Sequence, residues 1–489
     1  MPIPRFSSPS LTARLTDAKT ATATVIDPIA ADDFAAWKKK QAKDVAAWVE
    51  ANGFRAGAGQ VCLIPAAGDN RKGARQKNAV AAVLFGLGGT ESARDMWTWA
   101  GLPDALPTAT YRLAAGPGRA RATAAALGWA LGTYRFDRYC GAKKTAKKDD
   151  NKKAAVLIWP AGADRAYVKR TAAAMALTRD LINTPAADMG PSALAAAARK
   201  LATAHKATCR VIAGAQLLKK NYPAVHAVGR AADDAPRLID ITWGKPHAPK
   251  VTLVGKGVTF DTGGLDIKPA SAMKLMKKDM GGGAAVLGLA AMIMAAKLPV
   301  RLRVLVPAVE NAVAGNAMRP MDVVDTRAGI SVEIGHTDAE GRVILADALS
   351  EAAREKPDLL IDCATLTGAA RVALGTELPA LFCNDDKMAD AILRAGSETG
   401  DPLWRLPLWP GYRDMVVGKV ADLTNSAEGG YGGAITAALF LERFVADGVP
   451  WAHIDMMAWN VRARPGRPEG GEAQAIRALY AMIEKRFSA

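Results

Sequence analysis

The stretch VTLVGKGVTFDTGGLDIKP, residues 251–269, turns from an unbroken apolar run into a loop of Lys, Asp and Gly. An apolar run without polar alternation suits a strand covered on both faces, and such strands belong to parallel sheets packed between helices. The same texture recurs at RLRVLVPA (301–308), SVEIG (331–335), LLIDCA (359–364), PALFC (379–383) and WAHID (451–455). Between these runs, apolar residues return at helical spacing over 284–297, 343–355, 386–396 and 434–447. The expected fold is α/β, its larger domain having a mostly parallel central sheet flanked by helices, with these runs as strands. Ligands of such sheets lie beyond the carboxyl ends of the strands, so chemistry is expected in the polar loops that follow them.

Working back towards the N-terminus, the chain is Ala-rich. VCLIPA (61–66), TYRLAAG (110–116) and AAVLIWPAG (154–162) read as short strands, and Asp33–Glu50 and Arg119–Leu131 as helices. Alternating strands and helices argue a small α/β domain, and no concentration of acids or histidines suggests chemistry in it. A helical pattern over Tyr167–Arg179 runs into LINTPAADMGPSAL, where Pro185 and Pro191 punctuate the chain and Ser192 is expected to cap the next helix. The predicted division is an N-terminal α/β domain at 1–165, a linker helix and boundary at 166–190, and a catalytic domain at 191–489.

At 489 residues, with 50% hydrophobic and 23% charged, the chain has the balance of a globular protein of more than one domain. Its five cysteines are scattered and show no C-x-x-C spacing, which argues against a disulfide framework or a cysteine zinc site. The Ala-rich runs are interrupted too often for a membrane span, and MPIPRFSSPSLTARLTDAK has no apolar core of a secretory signal, so a cytoplasmic protein without a membrane partner is expected. The formal charge of +16 raises a nucleic-acid partner as the alternative. It is not favoured, because the densest basic run, Lys143–Lys153, reads as a solvated loop and no nucleic-acid motif accompanies it.

Three loops concentrate charge and glycine. GKGVTFDTGGLDIKP supplies Lys256, Asp261 and Lys268; MKKDMGGGAAV places Asp279 before a glycine run; HTDAEGRVILADAL holds Asp338, Glu340 and Arg342 at alternating positions. In an extended segment that alternation would turn all three side chains to one side. Four carboxylates gathered together repel one another unless cations lie between them. Divalent metals resolve the conflict; an oxygen-rich set suits Mg or Mn, Zn also accepts carboxylates, and the metal stays open. His205, His226, His247 and His453 have no zinc-binding spacing and read as structural or surface residues. The glycine runs allow backbone to approach an ion or substrate. A phosphate cradle is the competing use, but G-x-x-x-x-G-K-[ST] is absent.

In order along the chain, GKGVTFDTGG, KKDMGGGAAV, HTDAEGRV (336–343), ATLTGA (364–369) and GGAITAALFLERFV (432–445) resemble the signature segments of the M17 leucyl aminopeptidase family. The resemblance runs from about residue 179 to 460 and is faint before it. It implies a metalloaminopeptidase in which Asp261 and Glu340 bridge two divalent ions per subunit, Zn or Mn, or else Mg or Co. Lys256 and Asp279 would complete the tighter site and Asp338 the more exchangeable one. A ligating lysine is a neutral amine, so Lys256 is expected to be pushed below its usual pKa by the ions and by burial. A water activated between the ions would attack the scissile carbonyl, and protonated Lys268 would stabilise the oxyanion. Arg342 would hold a bicarbonate that relays the proton to the leaving amine. Met276, Thr365, Leu366 and Gly368 would line or anchor the substrate, a peptide with a free N-terminal amine. The family's hexamers imply a homohexamer.

Two stretches depart from the family pattern. His336 stands where asparagine is usual, and 455–460 reads DMMAWN where the family has D-I-A-G at its specificity pocket. The bulkier lining weakens the inference of a leucine preference. The following segment, NVRARPGRPEGGEAQAIRALY, is longer and more basic than the pattern leads one to expect, and its sequence suggests no role.

Overall fold

The computed structural model describes residues 10–18, 22–66, 80–89, 95–114, 116, 118–140 and 154–488. The basic run at Lys143–Lys153 therefore lies outside the described residues. The chain divides into two compact units, one of Ser7–Ala176 with Ala463–Pro468, the other chiefly of Leu177–Arg462 with Glu469–Ala489.

The smaller unit is built on a six-stranded sheet of β1 (Leu15–Thr16), β2 (Thr24–Ala30), β3 (Val61–Pro65), β4 (Val80–Gly88), β5 (Thr110–Leu113) and β6 (Val156–Ile158), in the order β1-β6-β5-β2-β4-β3. All its pairs are parallel except β3 with β4. The helix expected over Asp33–Glu50 is two helices, Phe34–Lys39 and Lys43–Ala51, separated where Ala42 adopts an extended conformation. The break lets each half make its own attachment: Trp37 Nε1 donates to Asp27 Oδ2 at 3.1 Å, and Trp48 Nε1 donates to the Leu63 carbonyl at 2.9 Å. The helix expected over Arg119–Leu131 spans Gly118–Gly132. The C-terminal stretch Ala463–Pro468 contributes Arg467, whose guanidinium lies 4.1 Å from the centre of the Trp97 ring. Gly466, at φ +67°, passes so close to Ala100 that a Cβ there would lie 2.7 Å from the alanine methyl. The basic segment that suggested no role is thus in part a strap belonging to the smaller unit.

The larger unit carries a nine-stranded mixed sheet. Its strands are β7 (Thr208–Ala213), β8 (Arg237–Trp243), β9 (Lys250–Gly255), β10 (Gly257–Asp261), β11 (Arg301–Asn311), β14 (Leu359–Ala364), β15 (Ala380–Cys383), β16 (Trp404–Arg405) and β18 (Trp451–Asp455). The order is β16-β15-β18-β14-β9-β11-β8-β7, with β10 also pairing β11. The middle of the sheet is parallel, and the antiparallel pairs are β15 with β18, β11 with β8 and β8 with β7. Residues of β9 and β14 are buried nearly throughout, as the unbroken apolar runs require.

SVEIG is not a strand of this sheet. Its strand, β13 (Ser331–Glu333), pairs with β12 (Val323–Asp325) and β17 (Leu423–Thr424) in a separate three-stranded sheet. The segment leaves strand geometry after Glu333, where Ile334 N donates to the Asp322 carbonyl, so it acts as a short support for the loop that follows. The expected cap of the next helix also moves. Pro191 occupies the first turn of Pro191–Ala204, Gly190 is the N-cap, and Ser192 sits inside the helix with its N–H and Oγ both donating to Asp234 Oδ2.

The helix Gly281–Ala296 has the length and hydropathy of a membrane span when counted from Met276, but 83% of that window is buried inside the fold. Its glycines explain how: a Cβ on Gly282 would lie 2.0 Å from the Cys363 carbonyl oxygen of β14, so only glycine lets the helix settle on the strand.

Candidate metal centre and substrate cavity

The polar loops converge where the parallel strands end. Lys256 follows β9 directly, and Asp261 is the last residue of β10. Asp279 lies in a 3-10 turn, Met276–Met280, leading into the glycine-started helix, and Glu340 is the first residue of the helix Glu340–Ala353. Asp338 lies in a turn, one residue short of that helix. The stretch from Asp338 to Arg342 is therefore a helix start and not an extended segment, so alternation along a strand is not what gathers these side chains. Arg342 turns to the carbonyl of Asn425, to which its guanidinium donates at 2.7 Å.

Asp261, Asp338 and Glu340 each bring a carboxylate oxygen within 4.8 Å of the others. Lys256 Nζ lies 2.7 Å from Asp279 Oδ2 and 2.8 Å from Glu340 Oε1 and donates to the Thr365 carbonyl at 3.0 Å. Lys268 Nζ bridges Asp261, at 2.9 Å, and Asp338. Glu340 Oε2 is buried and has no hydrogen-bond partner, an expensive state for a carboxylate unless a cation faces it. This donor set, four carboxylates and a lysine amine with an orphaned oxygen at its centre, fits hard divalent ions.

The electrostatics show the strain of the cluster. Burial, together with Asp279, pushes the Asp261 carboxyl up to about 6, against the pull of Lys268 and Lys256. Burial and the neighbouring Asp261 raise Glu340 well above the usual carboxylate range. Asp279 goes the other way: burial raises it, but Lys256 and Lys278 beside it hold it below its ordinary value. Burial presses Lys256 down, as expected from the sequence, yet Asp279, Glu340 and Asp261 outweigh it and hold the ammonium above the usual lysine range. A metal ion at this amine would therefore have to displace a proton. Burial pushes Arg342 down to about 10, against Glu340 and Asp455.

A second layer holds the acidic cluster in place, and little of it was visible in the sequence. Asn311, at the end of β11, donates from Nδ2 to Asp261 Oδ1 at 2.9 Å and to the Thr337 carbonyl at 3.2 Å. Thr337 Oγ1 donates to the Gly263 carbonyl at 2.6 Å, tying the Asp261 loop to the Asp338 loop. Asn425 accepts from Gly335 N and His336 N and donates to the His336 carbonyl at 2.8 Å. His336 itself is half exposed, and its Nδ1 accepts the Asp338 N–H at 3.1 Å. Asp455 accepts the N–H groups of Leu366 and Thr367 and the Thr367 hydroxyl, fixing the backbone after β14. Asn311 and Asp455 could be sought at strand ends, whereas Thr337 and Asn425 lie in loops and carry no such mark.

A cavity of about 410 Å³ opens against this cluster. Lys268, Asp279, Asp338 and Arg342 border it, as do Met276, Thr365, Leu366 and Gly368. Lys256, Asp261 and Glu340 are buried and do not border it. Asp455, Met456 and Met457, from the stretch that departs from the family pattern, also line it. So does Lys278, which nothing in its sequence context singles out.

The pattern of the cytosol aminopeptidase family, catalytic domain, matches residues 176–480, and that of the M17 aminopeptidase N-terminal domain matches 24–165. The chain belongs to the cytosol aminopeptidase family. It is accordingly a peptidase, of a kind that removes residues from the N-terminus. Among curated relatives, a probable cytosol aminopeptidase of Roseiflexus castenholzii is 42% identical over 371 residues, 73% of this chain and 75% of the relative. One from Syntrophotalea carbinolica is 41% identical over 372 residues, 73% and 74% of the two chains. Among solved structures, the cytosol aminopeptidase of Coxiella burnetii is 46% identical, with a TM-score of 0.89 over 97% of this chain and 99% of that one. The bottromycin maturation enzyme BotP in complex with Mn is 37% identical, with a TM-score of 0.83 over 95% and 100%. A protein of this fold is therefore known with Mn bound.

Proposed function

We propose that the protein hydrolyses the N-terminal peptide bond of peptides with two divalent ions held by Lys256, Asp261, Asp279, Asp338 and Glu340. The observation that carries this reading is the approach of Asp261, Asp338 and Glu340 to within 4.8 Å beside a substrate-sized cavity. When bound, the ions supply Lewis acidity and an activated water. Lys268, which borders the cavity, would offer its ammonium to the developing oxyanion. Met276, Thr365, Leu366 and Gly368 seat the N-terminal residue, with Asp455 holding the Leu366 backbone in place. A free α-amine placed among these acids favours exopeptidase over endopeptidase action.

Arg342 has an Nε that is buried without a hydrogen-bond partner while its other end is anchored on Asn425. A planar anion such as bicarbonate suits that guanidinium and would supply the base that no histidine offers. The complex of BotP with Mn supports manganese as one occupant, with Zn, Mg and Co to be compared. A homohexamer in the cytoplasm is the accompanying expectation from the family.

The test is hydrolysis of an aminoacyl-amide panel by metal-stripped enzyme given back Zn, Mn, Mg or Co. Turnover restored by at least one ion is expected. A folded protein inactive with every ion would sink the reading, and full activity of Lys268→Ala or Asp338→Ala would remove the role assigned to that residue.

A further inference from the structure

Lys278 is buried at 5% exposure, borders the substrate cavity, and makes no side-chain hydrogen bond or ion pair among the described residues. Lysine is rarely buried without a partner, because the interior does not replace the hydration of its ammonium. The two acids whose charges act on it, Asp279 and Asp455, are already engaged. Asp279 receives the Thr365 hydroxyl on Oδ1 and Lys256 on Oδ2. Asp455 receives the Leu366 and Thr367 N–H groups and the Thr367 hydroxyl. Neither forms an ion pair with Lys278. The neighbouring Lys277 differs: its ammonium donates to the Asn183 carbonyl at 2.7 Å and lies over the Trp459 ring.

A second cation, Arg371, borders the same cavity with its guanidinium near Gly368, and it forms no ion pair among the described residues. Met276 and Met457 add apolar lining to the same cavity. The cavity therefore carries, beside its methionine lining and the acids Asp279, Asp338 and Asp455, a buried lysine with no hydrogen-bonding partner among the described residues. We propose that Lys278 is a specificity-determining residue that selects peptides whose N-terminal residue carries a carboxylate side chain, aspartyl or glutamyl. The inference rests on the aminopeptidase reading above and names its substrate class. The acidic side chain completes the hydrogen bonding that Lys278 lacks, and binding energy gained this way is lost for an isostere without the carboxylate.

The experiment compares kcat/KM for Glu, Gln, Met and Leu aminoacyl-amides in metal-reconstituted wild type and in Lys278→Met, with metal content measured for both. Wild type is expected to favour Glu over both Gln and Met by at least tenfold. The Glu-to-Met ratio is expected to fall at least tenfold in the variant at equal metal content. A wild-type enzyme led by Met or Leu, or one treating Glu and Gln alike, overturns the inference while leaving the aminopeptidase reading intact. An equal loss for all substrates in Lys278→Met also overturns it, as the residue would then act through the adjacent ligand Asp279. No turnover of any substrate with any ion overturns both. The wild-type comparison does not depend on the variant folding.

Discussion

Asn311 joins two ligand loops through one amide, giving its hydrogens to Asp261 and to the Thr337 carbonyl. Groups that orient ligands tune metal affinity nearly as strongly as the ligands themselves. Asn311→Ala is expected to weaken metal binding about 10–100-fold while leaving every ligand in place. Isothermal titration of the stripped protein reads this directly, and an affinity equal to wild type would show that the Asp261 loop needs no such support. The residue scale is also where sequence reading succeeded unevenly. Acids and lysines in glycine-rich loops announce themselves by type, whereas Asn311 and Asn425 are ordinary polar residues whose value comes from where a strand or loop delivers them.

At the scale of elements, the contact of the helix Gly281–Ala296 with β14 depends on the absence of a side chain at Gly282. A methyl there meets the Cys363 carbonyl at 2.0 Å, and backbone cannot yield as a flexible side chain can. Gly282→Ala is expected to destabilise the protein by about 1–3 kcal/mol, the range for overpacking, as measured by urea unfolding. The pairing of β14 with β18 contains a second element-scale feature. Asp362 and His453 are directly opposite in register, fully buried and 2.6 Å apart, with Trp451 Nε1 donating to the other Asp362 oxygen at 2.7 Å.

Burial pulls His453 down, but Asp362 outweighs it and raises the imidazole above 6.5. A histidine whose folded pKa is raised contributes stability that is complete below 6.5 and is lost as pH climbs through the folded value. Urea midpoints should therefore decline with rising pH in that window. His453→Ala is expected to abolish this slope and to cost about 3–5 kcal/mol, since it strands a buried carboxylate. An unchanged slope in the variant would assign the pH dependence elsewhere.

For the whole molecule, ions that bind only the folded state should stabilise it by mass action. At about a hundredfold excess over the dissociation constant the gain is roughly 2.7 kcal/mol, seen as a rise in Tm with metal concentration. Thermal unfolding of stripped and reloaded protein checks this, and a Tm indifferent to every ion would count against a preformed site. The net charge of +16 belongs to this scale as well. It bears on solubility and encounter and carries no sequence information about a fold or a site.

The α/β class, the run of strands bounding the catalytic sheet and the acidic loops were legible in the chain because burial on both faces and clustered charge leave local marks. Lys256, Asp261, Asp279, Asp338 and Glu340 drew attention in their loops for the same reason, alongside Lys268 and Arg342, and it was the family resemblance that set the five apart as expected ligands. What tertiary structure decided was everything dependent on non-local pairing. SVEIG went to a three-stranded sheet because its partners, at 323–325 and 423–424, are not its neighbours in the chain. Asp338 and Glu340 met Asp261 through a helix start and not through strand alternation. Lys278 reads in the sequence as one more basic residue beside a ligand. Only the fold shows it buried at a cavity wall with its neighbouring acids engaged elsewhere, because desolvation and the choice of partner are set by the surroundings and not by the residue.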